Sequence, residues 1–172
     1  VGKGWQVAMT TLLHERGAGE IPGASAGGQR AETTTQAPTE FPLLNLAKRS
    51  YRNGKPVAED PQTLDQIMKL LTRSVGIKQN RRLRSVPALA NTQRLALQDK
   101  LLSTEYMQKL AAVALEIEGM SSTLTHEDSK APDSGRWPLA YLSSFGGTIA
   151  GGTNEIQKNI LGERVLGLAK TK

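Results

Sequence analysis

The residues with the clearest chemical potential form the run Gly151-Gly152-Thr153, close to the end of the chain. Adjacent glycines let a ligand approach the backbone closely, and Thr153 is a favourable N-cap for the helix that the following residues predict. The first N–H groups of such a helix would face an anion. A capped helix without a ligand shows the same pattern, so the run by itself only weakly indicates a binding site.

Other catalytic chemistries have less support in the sequence. The chain has no cysteine, which argues against disulfides, a zinc site and a thiol nucleophile and which fits a reducing cytoplasm. The two histidines, His14 and His126, are too far apart in sequence to share a helical turn, so we predict no metal site. No serine lies in a Gly-x-Ser-x-Gly elbow, and the other glycine pairs lack the preceding strand of a dinucleotide site.

The length and composition predict one soluble globular domain. A length of 172 residues with 38% apolar residues is enough for one core, and the apolar runs are too short for a leader or a membrane span. Because the first residue is Val1, we expect a fragment of a longer protein. Basic residues exceed acidic ones by 22 to 16, partly through a cluster in the third predicted helix, Lys78, Arg81, Arg82 and Arg84. We interpret that cluster as a solvated helix face, because only 4% of residues are aromatic and nucleic-acid binding therefore has little support.

The spacing of apolar residues is helical almost everywhere, and no segment alternates like a strand. We predict a first helix ending at Gly17, a second over 43–51, a third from Asp60 towards Pro87, a fourth closing near Gly119, and a last one. The stripes expected to face the core are Trp5, Ala8, Met9 and Leu12; Leu64, Ile67, Met68, Leu71 and Val75; Tyr106, Leu110, Val113, Ala114 and Ile117; and Ile156, Ile160 and Val165. Residues 17–38 and 121–136 are predicted loops, so the fold class is an all-α antiparallel four-helix bundle.

Several runs make the chain resemble a known family. The closing signature of the acyl-CoA dehydrogenases is similar, nearly residue for residue, to TIAGGTNEIQKNILGERVLGL at 148–168. The segment that opens their C-terminal helical domain resembles VGKGWQVAMTTLLHERG at 1–17. Looser matches lie between them, in RNGKPVAEDP at 52–61, the helix over 64–84 and KLLSTEYMQ at 100–108. The resemblance covers the whole chain and implies that this domain stands here without the family's N-terminal helical and middle β domains.

The resemblance implies a flavoenzyme that acts on an acyl-CoA thioester. In this family a glutamate removes the α proton while the β hydrogen passes as hydride to FAD, and the electrons leave to an electron-transfer flavoprotein. The common base position falls on Gly151 in this sequence. A second group of the family carries the base in a Glu-Arg pair on the first helix of the domain, and Glu15-Arg16 matches that pair.

Helical geometry is compatible with Glu15 as the base. Seven residues separate Glu15 from Ala8, so at about 100° per residue the two side chains point within roughly 20° of each other, on the flank of the apolar face. A carboxylate there is partly desolvated, which raises its pKa towards the working pH. The plain alternative is a surface Glu-Arg pair that ends a helix.

The resemblance also assigns ligand contacts. It implies that Gly152, Thr153, Glu155 and Gln157 contact FAD, and that Arg16 lies near the CoA end of the substrate or supports the base. Many relatives reach the flavin of a neighbouring subunit with an arginine in a characteristic pattern. The run RSYRNG at 49–54 does not reproduce that pattern, so Arg49 and Arg52 are only weak candidates for this contact.

Assembly is expected through the helical domain, as a homo- or hetero-oligomer, either a dimer or a tetramer. The chain alone is expected to bind flavin weakly or not at all. Two functions stay open: a catalytically competent dehydrogenase, or a non-catalytic assembly subunit of a hetero-oligomeric dehydrogenase.

Overall fold

The computed structural model describes residues 3–17, 42–89 and 93–169, with the backbone alone at residues 9, 12–17 and 93. The α-helices in these ranges are α1 Gly4–Gly17, α2 Pro42–Arg49, α3 Pro61–Leu83, α4 Gln93–Glu118, α5 Arg136–Ile149 and α6 Asn154–Ile160. Short 3-10 helices cover Val57–Glu59, Gly119–Thr123 and Pro132–Gly135, and a π-helical turn at Leu161–Val165 extends α6. The predicted all-α class is confirmed. None of the described helices is long and apolar enough to cross a bilayer.

Helix α4 is the centre of the fold. It contacts α2, α3, α5 and α6, and its predicted inner stripe faces the core as expected. The core brings together buried residues from four helices and one 3-10 turn: Leu43, Leu46, Ala47, Val57, Ile67, Leu70, Ala114, Ile117 and Trp137. Because α4 contacts α2, α3, α5 and α6, it brings together side chains from distant parts of the sequence.

Helix α3 begins where its sequence predicts. The Asp60 carboxylate caps it, because Oδ2 accepts hydrogen bonds from the Thr63 hydroxyl at 2.6 Å and the Thr63 backbone N–H at 3.0 Å. These bonds, the hydroxyl bond first, lower the pKa of Asp60. Pro61 follows at the first helical position, where its missing N–H costs no hydrogen bond.

The face that α3 buries differs in part from the predicted stripe, of which Ile67 is buried and Leu71 half-buried. Leu64 and Met68 are each 39% exposed, and Val75 is 50% exposed. The buried positions are Thr63, Ile67, Leu70 and Ile77. The apolar residues of α3 cover a wide arc, and α4 packs against one edge of that arc, which the sequence of α3 alone does not reveal.

A small hairpin follows α2, although no strand was predicted. Strands β1 Tyr51–Arg52 and β2 Lys55–Pro56 pair antiparallel. Asn53 and Gly54 form the turn with φ of 53° and 76°, and this left-handed pair is the two-residue turn that suits a hairpin. The strands are too short to show alternation, and the hairpin ends α2 at Arg49, two residues before the predicted end.

Helix α5 was not predicted. Its Pro138, Gly146 and Gly147 weaken the helical pattern, yet the buried Trp137 anchors its first turn in the core. Before it, the predicted loop 121–136 includes two 3-10 turns, and the second ends in Gly135 with φ of 68°. The predicted loop 17–38 lies outside the described residues from position 18 onwards.

Candidate functional site

The run Gly151-Gly152-Thr153 forms the turn between α5 and α6. Gly151 and Gly152 have φ of 65° and 91°, a region that side chains other than glycine rarely enter. Thr153 caps α6 as predicted, because its hydroxyl oxygen accepts a hydrogen bond from the Ile156 N–H at 3.3 Å. The turn is therefore a stretch of half-buried backbone without bulky side chains.

One lysine of α4 holds this turn in place. The Lys100 ammonium group donates hydrogen bonds to the Gly152 carbonyl and to Asn154 Oδ1, each at 2.8 Å. A third acceptor, the Thr148 carbonyl, lies 3.5 Å away at the end of α5. Lys100 thus ties the end of one helix and the start of the next to α4. Burial lowers the pKa of Lys100, and the negative charge of Glu155 opposes that effect.

The inner face of α6 is polar. Asn154 and Gln157 are 5% and 2% exposed, whereas Ile156, which was predicted to face the core, is 43% exposed. Gln157 Nε2 donates to the Gly151 carbonyl at 2.8 Å, and Thr104 Oγ1 donates to Asn154 Oδ1 at 3.2 Å. The apolar stripe prediction was wrong at Ile156, because hydrogen bonds to the turn, rather than apolar packing, hold the first turn of α6; Ile160 and Val165 are half-buried.

An ion-pair network fixes α6 to the bundle further along. Glu105 on α4 accepts from Arg73 on α3 at 3.0 Å and from Lys158 on α6 at 3.4 Å. Partial burial raises the pKa of the Glu105 carboxyl, but the hydrogen bonds from these two cations outweigh it and the pKa is lowered overall. Helix α6 is therefore tied to α4 at two points, by Lys100 at its first residue and by Glu105 at Lys158.

The predicted site residues are distributed between two elements. Gly152, Thr153 and Glu155 lie together at the turn, and Glu155 is exposed there. Gln157 faces inward instead, and its Oε1 is buried with no hydrogen-bond partner among the described residues. The backbone of Glu15 and Arg16 belongs to α1, as predicted, while their side chains are not among the parts of the chain that the structure describes.

Two residues of this site were missed from the sequence, Lys100 and Asn154. Lys100 belongs to the run KLLSTEYMQ, which resembles the family but gives no local signal for a role of the lysine. Its contacts span 48 to 54 positions of sequence, so only the tertiary structure reveals them. Asn154 follows the capping threonine and would ordinarily be interpreted as a solvated first-turn residue.

Arg49 and Arg52, the remaining arginine candidates, have partners within the chain. Arg49 forms an ion pair with Asp133, and Arg52 Nη2 donates to the Glu116 carbonyl at 2.7 Å. In the basic cluster, Arg81 pairs with Asp99 at 2.7 Å and donates to Ser103 at 2.9 Å, both on α4. Arg81 therefore crosslinks α3 and α4. Within the described ranges, no group of three or more potential metal ligands comes together.

The sequence of the chain matches a known domain family. The profile of the acyl-CoA dehydrogenase C-terminal domain matches residues 2–166. Acyl-CoA dehydrogenase IpdE1 from Mycolicibacterium smegmatis is 33% identical over 172 residues, which cover 98% of this chain and 38% of that protein. Acyl-CoA dehydrogenase IpdE1 from Mycobacterium tuberculosis is 32% identical over 176 residues, which cover 98% of this chain and 39% of that protein.

The fold comparison agrees with the sequence comparison. A chain in the crystal structure of the ChsE4-ChsE5 complex from Mycobacterium tuberculosis superposes with a TM-score of 0.66 and 20% identity. The match covers 74% of this chain and 34% of that one, and at this identity it shows the fold alone. The chain therefore spans less than two fifths of the length of the relatives that it matches.

Proposed function

Since the chain belongs to the acyl-CoA dehydrogenase family, we propose that it forms the C-terminal helical part of an enzyme that oxidises an acyl-CoA thioester to the 2-enoyl-CoA. The observation that carries this proposal is the turn at 151–153, where two left-handed glycines and a capping threonine are tied to α4 by Lys100. When bound, FAD would supply the hydride acceptor for the β carbon. The remaining domains of the flavin site would come from outside residues 1–172.

The turn is suited to a flat ligand. With no Cβ at Gly151 or Gly152, a ring system can approach the peptide plane directly. Gly152, Thr153 and Glu155 are the residues that we assign to the cofactor. For Gln157 we propose a supporting role, because its amide is 2% exposed and holds the Gly151 carbonyl. Its unpaired Oε1 can accept one further hydrogen bond if a ligand or water approaches the turn.

The base is best assigned to Glu15 on α1. Position 151 is a glycine with φ of 65°, so this chain has no carboxylate at the common base position. Glu15 would accept the α proton, and Arg16 would lie near the CoA end of the substrate or support Glu15. The family resemblance and the helical backbone of α1 support this assignment. The predicted core-facing stripe of α1 does not support it, because Trp5 and Ala8 are exposed in the described chain.

Glu15→Gln in the complete enzyme tests the assignment. We expect loss of α-proton exchange into deuterated water, by at least about 100-fold, because removing a general base typically costs 10²–10⁴ in rate. Flavin content should be unchanged, since the substitution is isosteric and Glu15 is not among the residues that we assign to the cofactor. Glu127→Gln, an exposed carboxylate near α5, is the matched control. Exchange at the wild-type rate in Glu15→Gln would show that the base lies elsewhere.

A second candidate function is a non-catalytic subunit of a hetero-oligomeric dehydrogenase. It is favoured by apolar side chains that the described chain leaves open: Trp5 at 75% and Val7 at 64% on α1, and Leu139, Leu142 and Ile149 at 64–69% on α5. Such surfaces need a partner in solution. In that case a partner chain supplies the base, and Glu15→Gln leaves the activity of the assembly unchanged.

The remaining partners follow from the proposed reaction. They are an acyl-CoA substrate, an electron-transfer flavoprotein as electron acceptor, and further subunits in a homo- or hetero-oligomer. A cytoplasmic location accompanies this proposal because the chain has no cysteine. Sedimentation velocity of the chain at micromolar concentration measures its oligomeric state, and a stable monomer would contradict the assembly part of the proposal.

A further inference from the structure

A buried carboxyl group ends helix α4. Glu118 is the last residue of that helix and is 8% exposed. Both of its carboxyl oxygens are sealed from solvent, and among the described residues neither has a hydrogen-bond partner. A carboxylate in this place has neither water nor a counter-ion at bonding distance, so the structure favours the neutral carboxyl. Ionisation of Glu118 is therefore favoured by any movement that lets water reach it.

The connection between α4 and α5, residues 119–135, lies next to this carboxyl group at both of its ends. It leaves Glu118 through the 3-10 helix Gly119–Thr123. Further along, its Pro132 and Asp133 line the same cavity of about 330 Å³ that Glu118 lines. Movement of the connection away from the cavity would therefore bring water to Glu118.

The connection is also the wall of the cavity that moves most easily. The structure describes all of residues 119–135, and Gly135 is the only buried residue among them. Helix α2, which contributes to the cavity from another side, is held in the core by its buried Leu43, Leu46 and Ala47. A segment with few buried contacts opens at a lower cost in free energy than a packed helix does.

The end of the connection is strained and is fastened by one carboxylate. Asp133 and Ser134 have φ of 46° and 56°, left-handed values that residues with a side chain rarely adopt. Asp133 compensates for this strain, because its Oδ1 pairs with Arg49 and its Oδ2 accepts a hydrogen bond from Trp137 Nε1 at 2.9 Å. A negative charge on Glu118 would repel this same carboxylate.

We propose that the connection 119–135 is a proton-controlled latch, which stays closed while Glu118 is neutral and opens when Glu118 ionises. Among the described residues, the charged groups that act on Glu118 are Asp133 of the connection and Arg49 of α2. Tyr51 of the hairpin also lines the cavity, and the 3-10 helix Gly119–Thr123 carries no titratable side chain. The latch is separate from the turn at 151–153 and does not depend on the proposed reaction.

The pH range of the latch follows from the ionisation of Glu118 in its two environments. Burial first, and then the Asp133 charge, raise the pKa of Glu118 to about 7 in the closed form, with Arg49 opposing the shift. In the open form the carboxyl meets water and takes the usual value of 4.5, so the equilibrium constant for opening rises with pH between these values. The rise is about 40-fold from about pH 5 to about pH 7, and it levels off above that range because Glu118 is then ionised in both forms.

Hydrogen exchange of the two tryptophan indoles tests the proposal. The Trp137 Nε1–H is bonded to Asp133 and its side chain is 2% exposed, whereas Trp5 is 75% exposed and reports the unprotected rate at each pH. NMR of the 172-residue chain measures both rates. We expect the protection of Trp137 relative to Trp5 to fall about 40-fold from about pH 5 to about pH 7 and then to level off.

Low concentrations of urea separate opening of the latch from unfolding of the whole chain. Opening of the connection alone exposes little surface, so the exchange rate of Trp137 should hardly depend on urea. The backbone N–H of Ile67, in the buried face of α3, exchanges through larger openings and should accelerate with urea. If Trp137 showed the same urea dependence as Ile67, the connection would open only with the whole chain and the proposal would be overturned.

Three variants identify the group that controls the latch. Glu118→Gln keeps the shape of the neutral carboxyl, so the protection of Trp137 should be independent of pH and should exceed that of the unsubstituted chain at least tenfold at about pH 7. Glu116→Gln removes an exposed carboxylate two residues earlier on the same helix and should retain the 40-fold fall. Histidine ordinarily ionises in the same pH range, so His126→Gln, which removes the histidine of the connection, should also retain it.

Circular dichroism checks that the variants fold, and the pH and urea dependences of the unsubstituted chain give an answer without any variant. The proposal is overturned if the protection of Trp137 in the unsubstituted chain does not change with pH. It is equally overturned if Glu118→Gln shows the same fall in protection as the unsubstituted chain, or if His126→Gln or Glu116→Gln abolishes that fall.

Discussion

Replacement of Lys100 by Met removes the cation that holds the turn at 151–153. Methionine retains most of the apolar stem but leaves the Gly152 carbonyl and Asn154 Oδ1 without the donor that lies 2.8 Å from each. Hydrogen bonds from a charged group contribute roughly 1.5–3 kcal/mol each. The Thr148 contact, at 3.5 Å, is too long to add much.

The desolvation of Lys100 offsets part of this stabilisation. Its pKa is lowered chiefly by burial, so the folded state holds the cation less favourably than water does. After this offset we expect Lys100→Met to reduce the free energy of unfolding by about 2 kcal/mol. For a chain of this size that corresponds to a fall of roughly 4–8 °C in the melting temperature.

Urea unfolding followed by circular dichroism measures the loss, and amide hydrogen exchange at residues 151–157 locates it. The matched control is Lys109→Met, an exposed lysine on the same helix, which should stay within about 0.5 kcal/mol of the unsubstituted chain. If Lys100→Met and Lys109→Met proved equally stable, or if exchange at 151–157 did not accelerate, Lys100 would not be the brace of the turn.

Three further predictions follow from the structure and the family. Gly135→Ala should lower the free energy of unfolding by more than about 1 kcal/mol, since φ is 68° and the added Cβ would lie 2.6 Å from the backbone N of His126. The control is Gly146→Ala, where the helix leaves open space for a Cβ and the substitution should be neutral or stabilising. Calorimetry of the two variants measures the difference. The pKa of Glu118 in the folded chain is about 7, against the usual 4.5, so ionisation of this carboxyl destabilises the folded state. As pH rises from about 4.5 to about 7, the free energy of unfolding of the unsubstituted chain should therefore fall by about 3 kcal/mol relative to that of Glu118→Gln. A difference in urea midpoints that stays constant over this pH range would contradict the prediction. The chain by itself should bind FAD weakly or not at all, and a stoichiometric yellow complex surviving gel filtration would refute that expectation.

Local signals in the sequence were sufficient for much of the helical framework. Helix α3 starts after the Asp60 cap, and α4 ends at Glu118, directly before Gly119, whose φ is 58°. The hairpin after α2 was missed although Asn53-Gly54 is a strong turn signal, because two-residue strands contain no alternation to detect.

Burial was harder to predict than helicity. Apolar residues on α3 and α6 indicated helical faces, but which edge of a face is buried depends on where the neighbouring helix crosses it. Ile156 is exposed and Gln157 is buried because the first turns of α6 are held by hydrogen bonds to Gly151, Thr104 and Lys100. A periodicity argument assigns apolar residues to the inside and has no means of recognising a buried polar contact whose partner lies 50 residues away.

The sequence by itself indicated the all-α class, the family and the capped glycine turn at 151–153, because helical periodicity, family motifs and caps are all written in short runs of residues. Glu15 as the base stays a prediction that rests on the family resemblance. Only the tertiary structure revealed that Lys100 braces that turn and that Glu118 is buried without a partner in the described part of the chain. Both depend on side chains that meet across long sequence separations and on how far each is removed from water. The energies of hydrogen bonds and charges depend on that local environment, which packing creates.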